Sequence, residues 1–143
     1  MENNLNTWWI YALLSAFFAA LTTVFAKIGV QNIDANLATA VRTIVIVFIA
    51  WILVFVEGTS SQLSAIPART LIFLIISGFT TGLSWLFYFK ALQLGKAAQV
   101  APIDKSSVVL VILFSALFLH EPLTAKVIIG GLLISIGTIV LVL

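Results

Sequence analysis

Five ionisable residues, Lys27, Arg42, Lys90, Asp104 and Lys105, stand inside or at the ends of long apolar stretches. A charge in hydrocarbon is costly, so such groups face a hydrated cavity, pair with one another or extend to the headgroups. All five fall within a turn or two of the same membrane face. The long bases can therefore be read in two ways: they snorkel to that face and set topology, or they form a basic funnel for the negative end of an organic solute. Asp104 is the one acid well inside a segment. It either pairs with a neighbouring base and complements the positive end of its helix, or carries a coupling proton. Ser77, Thr81, Ser84 and Tyr88 recur at helical spacing, with Trp85 beside them. That stripe serves helix-to-helix hydrogen bonds or lines a watered path with an aromatic wall. The predicted binding set is Arg42, Ser84, Trp85, Tyr88, Asp104 and Lys105, with Lys27, Lys90 and Thr81 as secondary members. In it, Arg42 and Lys105 hold a carboxylate or phosphate while Trp85 and Tyr88 contact the organic body.

The elements that position these residues follow from length and hydropathy. Of the 143 residues 62% are hydrophobic and 8% charged, too few charges to solvate a globule. A span needs about 20 apolar residues, because each rises about 1.5 Å through about 30 Å of hydrocarbon. The expected fold is an all-α membrane protein, a single domain over residues 1–143 made of a bundle of five transmembrane helices. Their expected limits are about 8–30, 37–57, 70–92, 98–119 and 125–143. The fourth is long enough only if Asp104 and Lys105 enter its first turns. Gln31–Asn36 is a polar turn, Glu57–Ala68 carries Gly58, several serines and Pro67, Gly95-Lys96 ends the third helix, and Thr124 is placed to cap the last. Short loops imply antiparallel neighbours. The first segment lacks a basic leader and is too long for a signal peptide, so it is expected to remain as a helix.

The remaining features are less chemical. The last helix carries a small-residue seam, Gly131, Ser135 and Thr138 with Gly130 and Gly137 beside it, suited to close packing within the chain or with a second copy. Gly78 and Gly82 form a G-x-x-x-G pair on the third helix. Trp8, Trp9 and Tyr11 suit an interfacial anchor. The absence of Cys removes disulfides and thiolate chemistry. His120 reads as a surface histidine at a helix end, no phosphate loop is present, and no basic and aromatic groove suits nucleic acid. No catalytic residue, metal site or cofactor is indicated. The first two helices can also be laid on the third and fourth, with Ser15, Phe17, Leu21 and Phe25 opposite Ser77, Phe79, Leu83 and Phe87. Lys27 and Arg42 then fall opposite Lys90 and Lys105 one residue further on.

The order Phe25-Ala26-Lys27-Ile28-Gly29, Tyr88-Phe89-Lys90-Ala91-Leu92 and Ala101-Pro102-Ile103-Asp104-Lys105 is followed by Leu117-Phe118-Leu119-His120-Glu121-Pro122-Leu123 and Gly130-Gly131. With these pieces the chain resembles the EamA-type branch of the drug/metabolite transporter superfamily, specifically its half-size, five-span members. The resemblance implies secondary transport of a small metabolite or amino-acid-like solute by alternating access. It also implies a bacterial or archaeal cytoplasmic membrane and a second copy, antiparallel to the first, as partner. Related four-span exporters use a buried Glu in the first helix; here Trp8–Val30 contains no acid, which makes proton coupling by that route and cationic drugs poor expectations. Lys27, Arg42, Lys90, Lys96 and Lys105 lie on one side and Arg69 and Lys126 on the other, so the positive-inside rule places the C-terminus in the cytoplasm. Two rivals use the same residues: a carrier of lipid or lipid-linked headgroups, and a membrane assembly subunit that transports nothing.

Overall fold

The computed structural model describes residues 7–143, and these are helical with no strand. The helices are α1 (Trp8–Gly29), α2 (Ala35–Val56), α3 (Ala68–Leu94), α4 (Ala97–Lys105), α5 (Ser107–Phe118) and α6 (Ala125–Val142), with a 3₁₀ segment at Thr59–Ala65 between α2 and α3. Among the described residues, five stretches are long and apolar enough to span a bilayer, α4 and α5 together forming the fourth, Ala97–Phe118. Large apolar side chains lie open along them, including Phe17, Ile44, Phe79 and Phe87. A continuous apolar exterior of this kind is untenable in water and ordinary in lipid. The chain is an all-α integral membrane protein.

The helix limits have local causes. Asp34 accepts hydrogen bonds from the Asn36 and Leu37 amides and so caps α2, while Thr124 accepts from Val127 and caps α6. Asp34→Ala is expected to lower stability by about 1 kcal/mol, read as an earlier midpoint in a detergent-denaturant titration, whereas Asp34→Asn, which keeps an accepting side-chain oxygen, should recover most of that loss. At the end of α5, His120 adopts a left-handed backbone with φ 56°. There the Ser115 carbonyl accepts from both Leu119 and Glu121 amides. Histidine is among the residues that tolerate this conformation better than most, so His120 serves a turn.

The fourth span differs from the continuous helix expected from the sequence, because it breaks at Ser106. Pro102 has no amide to donate and its ring crowds the preceding turn. Ser106 then tightens the chain: its amide bonds both Pro102 and Ile103 carbonyls, its hydroxyl donates to Ile103 at 2.6 Å, and Val109 donates back to Ser106 in an i to i−3 pattern. Asp104 and Lys105 end α4 on the near side of this break.

Two compact units divide the chain: Phe25–Gln93 forms one, and the chain up to Val24 together with Leu94–Leu143 forms the other. In the second of these, α4 and α5 both pack on α6. Gly131 is buried there, and a Cβ placed on it would stand 3.3 Å from Ile112 Cδ1. The Thr138 hydroxyl donates across to the Pro102 carbonyl at 3.4 Å, and Ser135 donates to Gly131 within its own helix. Gly131 and Thr138 of the small-residue seam therefore pack inside the chain. Gly130 and Gly137 meet nothing within 4 Å of an added Cβ.

The Phe25–Gln93 unit concentrates its buried side chains at one end. Val30 and Leu92 are 0% exposed, Ala35 and Phe89 2%, and Thr39 6%. The turn between α1 and α2 thus seats on the last turns of α3. At the far end of the unit, Trp51, Val54, Leu63, Ile66, Pro67 and Thr70 help line a largely apolar cavity of about 630 Å³.

Candidate functional site

Arg42 is the eighth residue of α2, which places it about 10 Å along the helix from Ala35 at 1.5 Å per residue. Trp85 and Phe89 are one turn apart on α3, on one face. The Arg42 guanidinium carbon lies 4.3 Å from the Trp85 ring centroid and 5.3 Å from that of Phe89. Tyr88 continues the aromatic wall, its ring meeting Phe89 edge-on at 6.4 Å. A guanidinium inside a span costs about 2.5–3.5 kcal/mol on insertion scales, and a desolvated cation–π contact returns up to about 2 kcal/mol. The two rings can therefore hold the charge in place without neutralising it. Among the described residues, no carboxylate pairs with Arg42 and no hydrogen bond from it to the protein forms. Its N–H donors remain available to an anion.

Two of the predicted bases have protein partners. Lys27 Nζ donates to the Leu92 carbonyl at 2.6 Å, one of the α3 carbonyls that the helix itself leaves without a donor. Lys90 is exposed and donates to Gln93 Oε1 at 3.2 Å. Gln93 in turn donates from Nε2 to the Ile33 carbonyl at 2.8 Å and the Val30 carbonyl at 3.3 Å. Sequence reasoning passed over both Gln93 and Phe89. Their signal was spacing, since Trp85, Phe89 and Gln93 recur every four residues on one side of α3.

The stripe of hydroxyls is only partly engaged. Thr80 and Thr81 donate back to the Ser77 carbonyl at 2.9 and 2.8 Å, which lowers their cost in lipid, while Ser84 stands exposed. An added Cβ at Gly78 or Gly82 meets nothing within 4 Å. In the other unit, Asp104 and Lys105 pair with each other at 3.1 Å, with 32% and 68% of their side chains exposed. A pair this open contributes at most about 1 kcal/mol. The residues predicted as one binding set thus divide between the two units, with Lys27, Arg42, Thr81, Ser84, Trp85, Tyr88 and Lys90 in one and Asp104 and Lys105 in the other.

The Arg42 guanidinium thus lies against aromatic rings within an all-helical membrane chain, and comparison with known proteins gives the family of that chain. The EamA-like transporter family matches residues 6–143. This chain belongs to that family. A Sinorhizobium protein described as an uncharacterized transporter in the cobO 3′ region is 48% identical over 136 residues, covering 95% of this EamA-family chain and 96% of the relative. A Bacillus subtilis protein, the uncharacterized transporter YvbV, is 35% identical over 126 residues, which cover 87% of this chain but 41% of the relative. The uncharacterized protein MJ1333.1 of Methanocaldococcus jannaschii is 31% identical over 92% of this chain and 93% of its own length. No solved structure matches. The chain is therefore a half-size EamA-family membrane transporter.

Proposed function

We propose that this EamA-family protein is a secondary transporter of a small organic carboxylate, anionic or zwitterionic and of metabolite or amino-acid size, working by alternating access as a homodimer. The observation that carries the reading is Arg42, held 4.3 Å from the Trp85 ring centroid and lacking a carboxylate partner among the described residues. Such a guanidinium offers a planar fork of donors, which suits a carboxylate better than a point cation would. Trp85 and Tyr88 contact the organic body. Lys105 and Asp104, in the other unit, are a separate polar pair, with Asp104 the candidate for a coupling proton.

The dimer, with the second copy antiparallel to the first, rests on the small-residue face that the last helix leaves open. The open side of α6 at Gly130 and Gly137 suits that contact. The bacterial and archaeal relatives favour the cytoplasmic membrane as its location.

Arg42 would equally bind a phospholipid headgroup, so the deciding experiment compares both. The purified protein in detergent is titrated with a panel of soluble carboxylates and amino acids, and separately with short-chain phospholipids, following its unfolding midpoint. A rise with a soluble carboxylate that is lost in Arg42→Gln is expected. A rise with phospholipid alone would replace this reading by a lipid carrier.

A further inference from the structure

We propose that Gln93 is the latch of a gate over Arg42, fastening the α1–α2 turn to the end of α3 and releasing it when the site opens to water. This rests on the transport reading above, which makes opening and closing of the site a requirement. Gln93 Nε2 reaches both the Ile33 and the Val30 carbonyls, at 2.8 and 3.3 Å, while its Oε1 accepts from Lys90. Lys27 adds a parallel tie to the Leu92 carbonyl. Val30 to Ile33 form the turn after α1, so no helix ladder occupies both of the carbonyls that Gln93 meets.

Placement makes the tie a gate. Gln93 lies one turn beyond Phe89 on the same face of α3, and Phe89 touches Arg42. The buried residues Val30, Ala35, Thr39, Phe89 and Leu92 fill the space between the turn and α3. Arg42 therefore lies deeper than a plug closed by hydrogen bonds at its rim. The bonds are of a kind that water replaces at a modest net cost, because side-chain amide and backbone carbonyl can both be satisfied by solvent at an interface. An apolar plug with a hydratable rim has two alternatives of similar free energy, which is what a gate needs. Gln93 is thus a positioning residue that acts on Arg42 through the turn and touches no solute.

The chain has no cysteine, so introduced thiols report alone. Thr39→Cys places a thiol in the plug, three residues before Arg42. Its reaction with a membrane-impermeant charged methanethiosulfonate, in protein reconstituted in liposomes, is expected to be slow with Gln93 present. In Gln93→Ala it should be faster by about tenfold or more, the effect of losing two ordinary hydrogen bonds. An equal labelling rate in the two proteins would overturn the gate. A second arm joins Ile33→Cys to Gln93→Cys with a short reducible bis-thiosulfonate. Solute counterflow is expected to fall at least about tenfold on joining and to return on reduction, whereas undiminished flux in the joined protein would equally overturn the proposal. Labelling of Thr39→Cys needs no transport assay, so it reads the latch even if the protein proves to carry no soluble carboxylate.

Discussion

Arg42→Gln is expected to lower carboxylate counterflow in liposomes by about 100-fold, because a charge-assisted hydrogen bond to a bound anion is worth about 1.5–3 kcal/mol and the proposed role of Arg42 requires at least one. The loss should appear chiefly in KM, since the interaction is made with the bound solute before any movement. Stability should move the other way or not at all. Replacing the charge in a spanning helix relieves its burial cost, because a neutral amide is cheaper to remove from water than a guanidinium. A purely structural Arg42 would instead lower the unfolding midpoint along with flux. Arg42→Lys separates charge from shape: it keeps the cation but loses the planar fork and much of the contact with Trp85 and Phe89. An intermediate loss, about tenfold, is the expected result.

Gly131→Leu is expected to destabilise the fold by about 1–3 kcal/mol, the usual range for overpacking a filled site. Its added Cβ already stands 3.3 Å from Ile112 Cδ1, so Gly131→Ala needs only a small shift of a flexible side-chain end, while Leu must push α6 away from α5. The Thr138 hydroxyl would then lose its reach to the Pro102 carbonyl. Gly137→Leu makes the contrast, because an added Cβ there meets nothing within 4 Å. It should leave the unfolding midpoint unchanged and, for the homodimer proposed above, reduce the dimer fraction, measured by light scattering in detergent at several concentrations. A dimer fraction unchanged in Gly137→Leu would rule out this face as the proposed contact between copies.

Much of the fold was legible because hydropathy and helix length are local properties. The five spans follow from runs of apolar residues, and Thr124 announced its cap by standing just before one. Arg42 and Trp85 were also visible as candidates, since a charge and a large ring in spans stand out against Leu and Ile, and the fold brings the two together. Phe89 and Gln93 were less so: their four-residue spacing after Trp85 is one of many such rows on an apolar helix, and Gln93 becomes informative only once the Ile33 and Val30 carbonyls are brought to it. Lys27 was legible as a base near the membrane face, but not as the donor to Leu92, a contact between residues 65 apart. Pro102 was plain in the sequence, yet the break fell four residues later, at Ser106, where the tightened turn is shared among several carbonyls. Spacing alone gathers Asp104 and Lys105 with Arg42; in the fold they pair with each other, in a different unit of the chain.

The most direct test of the account is counterflow with the purified protein alone. Liposomes holding this single chain are loaded with an unlabelled carboxylate from the binding panel and diluted into a trace of the same solute carrying a label. Transient accumulation of label above equilibrium, absent from empty liposomes and from Arg42→Gln, is the predicted result. Folded, reconstituted protein that accumulates none of the carboxylates it binds would contradict it.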